Sequence, residues 1–188
     1  MRRALLSVRV GGAGEAAGIS AGTRLPFVPP AGAAIVAFSD VAVQQGWLSD
    51  PAVEGRRAEL EQVLHNIRMF GVSVWGMDLA SMPTLDVLAD VPYRLSENPS
   101  DSRLRQRVLG LFVALGGSAY DHDTLSADVD LPISYLTAPV FDENRRPRWE
   151  LQIGPLRPHV SKTQREVYIE QLKASARRLS AQRRGSDV

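Results

Sequence analysis

The spacing of apolar and polar residues outlines most of the chain's elements. In Leu6, Ser7, Val8, Arg9 and Val10 the two kinds alternate, which predicts a strand with one buried face. A glycine- and alanine-rich loop follows from Gly11 to Gly22. After Pro29-Pro30 the runs AGAAIVAF and DVAVQQGWL predict one helix or two short ones, ending near Trp47. From Ala58, the apolar residues Leu60, Val63, Leu64 and Ile67 recur at helical spacing, with Glu59, Glu61, Asn66 and Arg68 between them. Gly71 is expected to stop this helix, and Val72-Ser73-Val74-Trp75 to begin a strand. The stretch from Met77 to Asn98 carries two prolines and little period. Arg103 to Leu115 predicts a second amphipathic helix, with Leu104, Val108, Leu111, Phe112 and Leu115 on one side.

The last third predicts a hairpin and a helix. Ile133 to Phe141 is strand-like, Asp142 to Arg145 supplies turn residues, and Trp149 to Ile153 alternates again. Ser161 with Gln164 forms a capping-box pattern that starts a final helix. Its expected buried stripe is Tyr168, Leu172, Ala176 and Leu179, and its far end is rich in arginine, which suits a helix C-terminus. No internal repeat or low-complexity linker interrupts this order. One α+β domain spanning residues 1–188 is the expectation.

Composition narrows the function classes. The chain has 188 residues, 44% of them hydrophobic, enough to bury a sizeable core without covalent staples. A net charge of +1 provides no global field for capturing nucleic acid or a membrane surface. With no cysteine there is no disulfide, thiolate metal site or cysteine nucleophile, which fits a reducing compartment. The N-terminal apolar run is too short and polar for a signal peptide, and no run of about 18 apolar residues spans a membrane. A cytoplasmic protein is expected.

Candidate chemistry is sparse. Asp121-His122-Asp123 is acidic and imidazole-bearing, but three consecutive residues cannot easily all face one ion, and His65 and His159 lie far off in sequence. No G-x-S-x-G elbow, phosphate loop or dinucleotide fingerprint occurs. Arg145, Arg146 and Arg148 read as a solvated hairpin tip, and Arg177-Arg178 with Arg183-Arg184 as a charged helix end. No catalytic residue, cofactor or metal is expected. An enzyme on this scaffold is the weakest of the readings considered.

Several segments, in order, resemble the effector-binding domain of IclR-type transcriptional regulators. They are LLSVRVGG, AGTRLPFVPPAGAAIVAF, ELEQVLHNIRMFGVSVWG and YLTAPVFDENRRPRWELQIGP, followed by the closing helix. The resemblance runs from Leu5 to about Arg183 and is poor between Met77 and Leu125. It implies a GAF- or profilin-like fold, a curved antiparallel sheet flanked by helices, with a ligand pocket on one side of the sheet. It also implies a homo-oligomer that senses a small organic or aromatic acid. The family's winged helix-turn-helix is expected to be absent, because the resemblance begins almost at the first residue. DNA would then be reached only through that missing module. The alternative is a stand-alone oligomerisation subunit that acts by joining full-length relatives.

A helix N-terminus presents unpaired N–H groups that can hold a carboxylate. The segment Pro29-Pro30-Ala31-Gly32 leaves the backbone open to such an approach, although the same pattern also starts helices with no ligand. By resemblance, the pocket is formed by Pro30, Ala31 and Gly32 with Leu25, Ile133, Tyr135 and Gln152, and an acidic residue at Asp128 or Asp130. Family members often carry a hydroxyl residue where this chain has Pro29-Pro30, which implies a less polar ligand or weaker anion capture. Ile133 and Tyr135 also fit a plain core, and Asp128 and Asp130 a solvated turn.

Overall fold

A computed structural model describes residues 3–5, 24–27, 29–51, 54–77 and 116–184. The strand expected at residues 6–10, the loop at 11–22 and the helix at 103–115 lie outside these residues. The chain divides into two compact units, residues 1–27 with 78–116, and residues 28–77 with 117–188. In the first unit, β1 (Arg3–Leu5) pairs antiparallel with β2 (Arg24–Pro26), which sets Ala4 opposite Leu25.

The second unit is an α+β fold with a curved antiparallel sheet flanked by helices, compatible with the GAF- or profilin-like expectation. Its elements run α1 (Ala33–Val36), α2 (Val41–Leu48), α3 (Arg57–Phe70), β3 (Ser73–Met77), β4 (Gly116–Ala119), α4 (His122–Ser126), β5 (Leu131–Phe141), β6 (Pro147–Ile153), β7 (Arg157–Val160) and α5 (Lys162–Arg184). The sheet order is β4-β3-β5-β6, and β7 pairs with the beginning of β5. The eleven-residue β5 is therefore the centre of the sheet.

Local chemistry explains where these elements start and stop. The Asp40 carboxylate accepts the Val43 N–H at 2.8 Å and begins α2. The predicted stripe Leu60, Val63, Leu64 and Ile67 is buried along α3. Gly71, in the left-handed region, donates its N–H to the Ile67 carbonyl at 2.8 Å and ends α3. In the β5–β6 hairpin, the Asp142 carboxylate accepts N–H groups from Asn144 at 3.0 Å and Arg146 at 2.8 Å. Asp142 also pairs with Arg148 at 3.1 Å, so Arg148 is more than part of a solvated tip.

Both faces of the sheet are covered. On one face Val72, Val74, Leu136, Ala138, Val140 and Val160 form a core with Leu172 and Ala176 of α5. On the other, α1 packs on β5 and β6, and α3 on β3, which is why all five β3 residues are buried. The capping box at Ser161 forms as expected, with Ser161 N–H on Gln164 Oε1 at 3.1 Å and the reciprocal bond at 3.4 Å. Leu179 corrects the predicted stripe of α5. It is 41% exposed, while Ser180 turns inward and accepts the Phe141 N–H at 3.0 Å.

A bulge sets the faces of β5. Trp75 stands opposite Tyr135 but Gly76 stands opposite Ile133, so Ser134 is the extra residue. Its hydroxyl hydrogen-bonds the carbonyls of Trp75 at 3.2 Å and Gly76 at 2.7 Å. At Gly76 a Cβ would lie 3.0 Å from the Tyr120 hydroxyl and 3.2 Å from the Ser118 carbonyl oxygen. Tyr120 cannot swing away freely, because it donates to the Pro132 carbonyl at 2.8 Å. Gly76→Ala is therefore expected to destabilise the protein by about 1–2 kcal/mol, measured as a lowered urea midpoint at unchanged slope.

Candidate functional site

The sheet face beneath α1 and α3 carries an unusual share of polar groups. Strand alternation places Ser73, Trp75, Tyr135, Thr137, Glu150 and Gln152 on it, since Thr137 pairs with Gln152 and Pro139 with Glu150. Part of this layer is internally satisfied. The Trp75 indole donates to Ser73 Oγ at 2.9 Å, and Ser73 Oγ shares a 2.8 Å hydrogen bond with Thr137 Oγ1. These groups tie β3 to β5 beneath α3.

Tyr135 and Glu150 differ from that pattern. The Tyr135 ring stacks on Trp75, with centroids 5.6 Å apart and planes 18° from parallel. Its hydroxyl makes no hydrogen bond among the described residues. Burial pushes the phenol well above its ordinary pKa; the nearby Glu150 charge adds to this and Arg56 opposes it. Arg56 is in turn held by Glu59 through two bonds of 2.8 and 2.9 Å at the start of α3. That hydrogen-bonded pairing keeps the Glu59 carboxyl below its ordinary range, despite partial burial.

Glu150 is the feature that sequence reasoning missed. Its Oε2 accepts the Ala34 N–H at 2.9 Å, and the Gly32 backbone also stabilises its charge. The N–H groups expected to hold a ligand's carboxylate therefore hold a carboxylate of the chain itself. Gly32 makes this approach possible, because it sits at φ 79°, which few residues with a Cβ adopt. Part of the Glu150 residue reaches the surface, yet the carboxylate itself is packed under α1. Burial outweighs the two backbone groups and raises its pKa to about 7. The only signal in the sequence was its place in the alternation of β6, which reads as an ordinary outward polar residue.

The other expected site residues scatter. Pro30 is partly buried and follows a cis peptide bond, and the exposed Ala31 accepts the Trp47 indole N–H at 3.0 Å. Gln152 is exposed on β6, on the same face as Tyr135. Ile133 belongs to the opposite face: the bulge at Ser134 turns it into the core beneath α5, where it is fully buried. Asp128 and Asp130 are exposed in the loop before β5. Leu25 stands in β2 of the first unit.

Asp121 has a structural role, since its carboxylate accepts the Thr124 N–H at 2.7 Å and caps α4. Among the described residues no group of three His, Asp or Glu side chains converges. No helix among them is long and apolar enough to cross a membrane. Comparison with protein-family models, with the curated proteins and with solved structures gives no match for this chain.

Proposed function

We propose that this chain is a small-molecule-sensing regulatory domain of the IclR effector-binding type, working in the cytoplasm as a homo-oligomer. Its effector is a small organic or aromatic acid. The observation that carries this reading is the Glu150 carboxylate seated on the Ala34 N–H beside Gly32. An acid ligand would take over that position, with its ring or chain lying toward the Tyr135 hydroxyl and the Trp75 face. Glu150, relieved of its desolvation, would return to water. Exchange of one carboxylate for another gives two arrangements of α1 over the sheet, and differential binding to them is what a sensor needs. The output would pass to a helix-turn-helix module joined to this domain or carried by a partner. No bond-making is required.

The test is a calorimetric titration with benzoate, of the wild type, Glu150→Ala and Tyr135→Phe. Removing Glu150 vacates the backbone groups and is expected to tighten benzoate about tenfold. Removing the phenol hydroxyl is expected to weaken it about three- to tenfold. Benzoate and short aliphatic acids that fail to bind both the wild type and Glu150→Ala would overturn the reading.

A further inference from the structure

The sheet ends unevenly on the β3 side. Pairing of β3 with β5 reaches only Ser73 opposite Thr137, while β5 runs on to Phe141, paired there with β6 alone. The space beside this unpaired end is a notch of about 330 Å³ between the α3–β3 turn, β5 and α5. Gly71 contributes no side chain to fill it, and a Cβ there would meet nothing within 4 Å. Pro139 and Phe141 of β5 and Ala176 of α5 give it apolar walls. Lys173 and Arg177 also line it, one helical turn apart on α5.

We infer that this notch is a second binding site, and that it takes an amphipathic carboxylate: an acyl or aryl chain in the notch, its headgroup on Arg177 and Lys173. Three observations favour an anion with an apolar tail over either part alone. The walls are hydrocarbon, and the volume lies at the small end of ligand sites, which begin near about 300 Å³. Arg177 makes no ion pair among the described residues and is exposed, so its planar fork is free for a carboxylate. Among the described residues Lys173 is paired only with the exposed Glu170, at 3.1 Å, an interaction too weak and solvated to hold it from a ligand. Ser180 adds no headgroup contact, because its hydroxyl donates to the Ala176 carbonyl at 2.8 Å and accepts the Phe141 N–H. This site needs nothing from Glu150, so it stands apart from the effector reading.

The experiment is calorimetric titration of the full chain with sodium octanoate, beside octanol and inorganic phosphate. Octanoate is expected to bind saturably, at least tenfold tighter than either half-probe. Arg177→Gln, an exposed change that leaves the fold intact, is expected to weaken it about tenfold. Ala181→Leu, on the rim of the notch, is expected to weaken octanoate by crowding the tail. Glu150→Ala is expected to leave octanoate affinity unchanged. Absence of binding to millimolar octanoate, equal binding of octanol, or affinity indifferent to both notch substitutions would each overturn the inference. Octanoate binding that tightens in Glu150→Ala and ignores both notch substitutions would assign the ligand to the α1 site and overturn it too.

Discussion

Replacing Arg165 with methionine is expected to destabilise the protein by about 3–5 kcal/mol, read from urea unfolding followed by tryptophan fluorescence. Arg165 is fully buried in the first turn of α5, and all its hydrogen bonds go to backbone carbonyls. Nε reaches the Leu125 oxygen at 3.4 Å; Nη1 reaches Val129 at 2.6 Å and Val160 at 2.9 Å; Nη2 reaches Leu125 at 3.1 Å and Ala127 at 2.6 Å. These five bonds use the five N–H donors of a guanidinium, so one side chain fastens the α4–β5 loop to α5. Methionine fits the hydrocarbon volume but takes from four carbonyls the donors that Arg165 supplies. Each such loss costs about 1–3 kcal/mol, less whatever water regains at the loop. Arg165→Lys keeps the charge but has three donors and no fork, so an intermediate loss is expected. Amide exchange in residues 125–130 should rise in step with the loss. A methionine variant within about 1 kcal/mol of wild type would show that the loop carbonyls rehydrate freely and that the clamp adds little.

This clamp shows which features of the fold the sequence revealed. The stripe of α3, its glycine stop, the β5–β6 hairpin and the Ser161 capping box rest on local periods and turn chemistry, and all formed where expected. Arg165 has no such signature: arginine is usually exposed, and a cation in the first turn of a helix runs against the helix dipole. Its reason for being there lies in carbonyls up to 40 residues away in the chain. The same limit applies to β4 and α4, which are short and weakly patterned and are held by long-range pairing. Among the candidate site residues, Tyr135 and Gln152 do share a face, because simple alternation carries from Tyr135 along β5. Ile133 does not, because one extra residue at Ser134 reverses the parity. Glu150 was missed because a polar residue on an edge strand looks solvated until α1 is laid over it.

Glu150 also makes the stability of the protein depend on pH in a direction opposite to that of most carboxylates. Its folded pKa of about 7 lies above its usual 4.5. Between those values the folded state holds a proton that the unfolded state has released, so raising the pH favours unfolding. The stabilisation is complete below about pH 4.5 and is lost as the pH rises through 7. At about 1.4 kcal/mol per pH unit, the whole change is at most about 3.5 kcal/mol. Glu59 and Asp142 act in the other sense. Hydrogen bonds from Arg56 to Glu59, and from the Arg146 backbone to Asp142, depress their pKa values, and their contribution is lost as the pH falls below about 4. Maximum stability is therefore expected near about pH 5. Glu150→Gln separates these effects, because the amide oxygen still accepts the Ala34 N–H but never ionises. Its stability relative to wild type is expected to be nearly unchanged at pH 4 and to rise by about 2–3 kcal/mol by pH 8. The difference between the two pH curves cancels the other titrating groups. A difference that stays flat from pH 4 to 8 would mean that water reaches the Glu150 carboxylate as the charge forms, removing the internal strain that makes exchange with a ligand acid favourable.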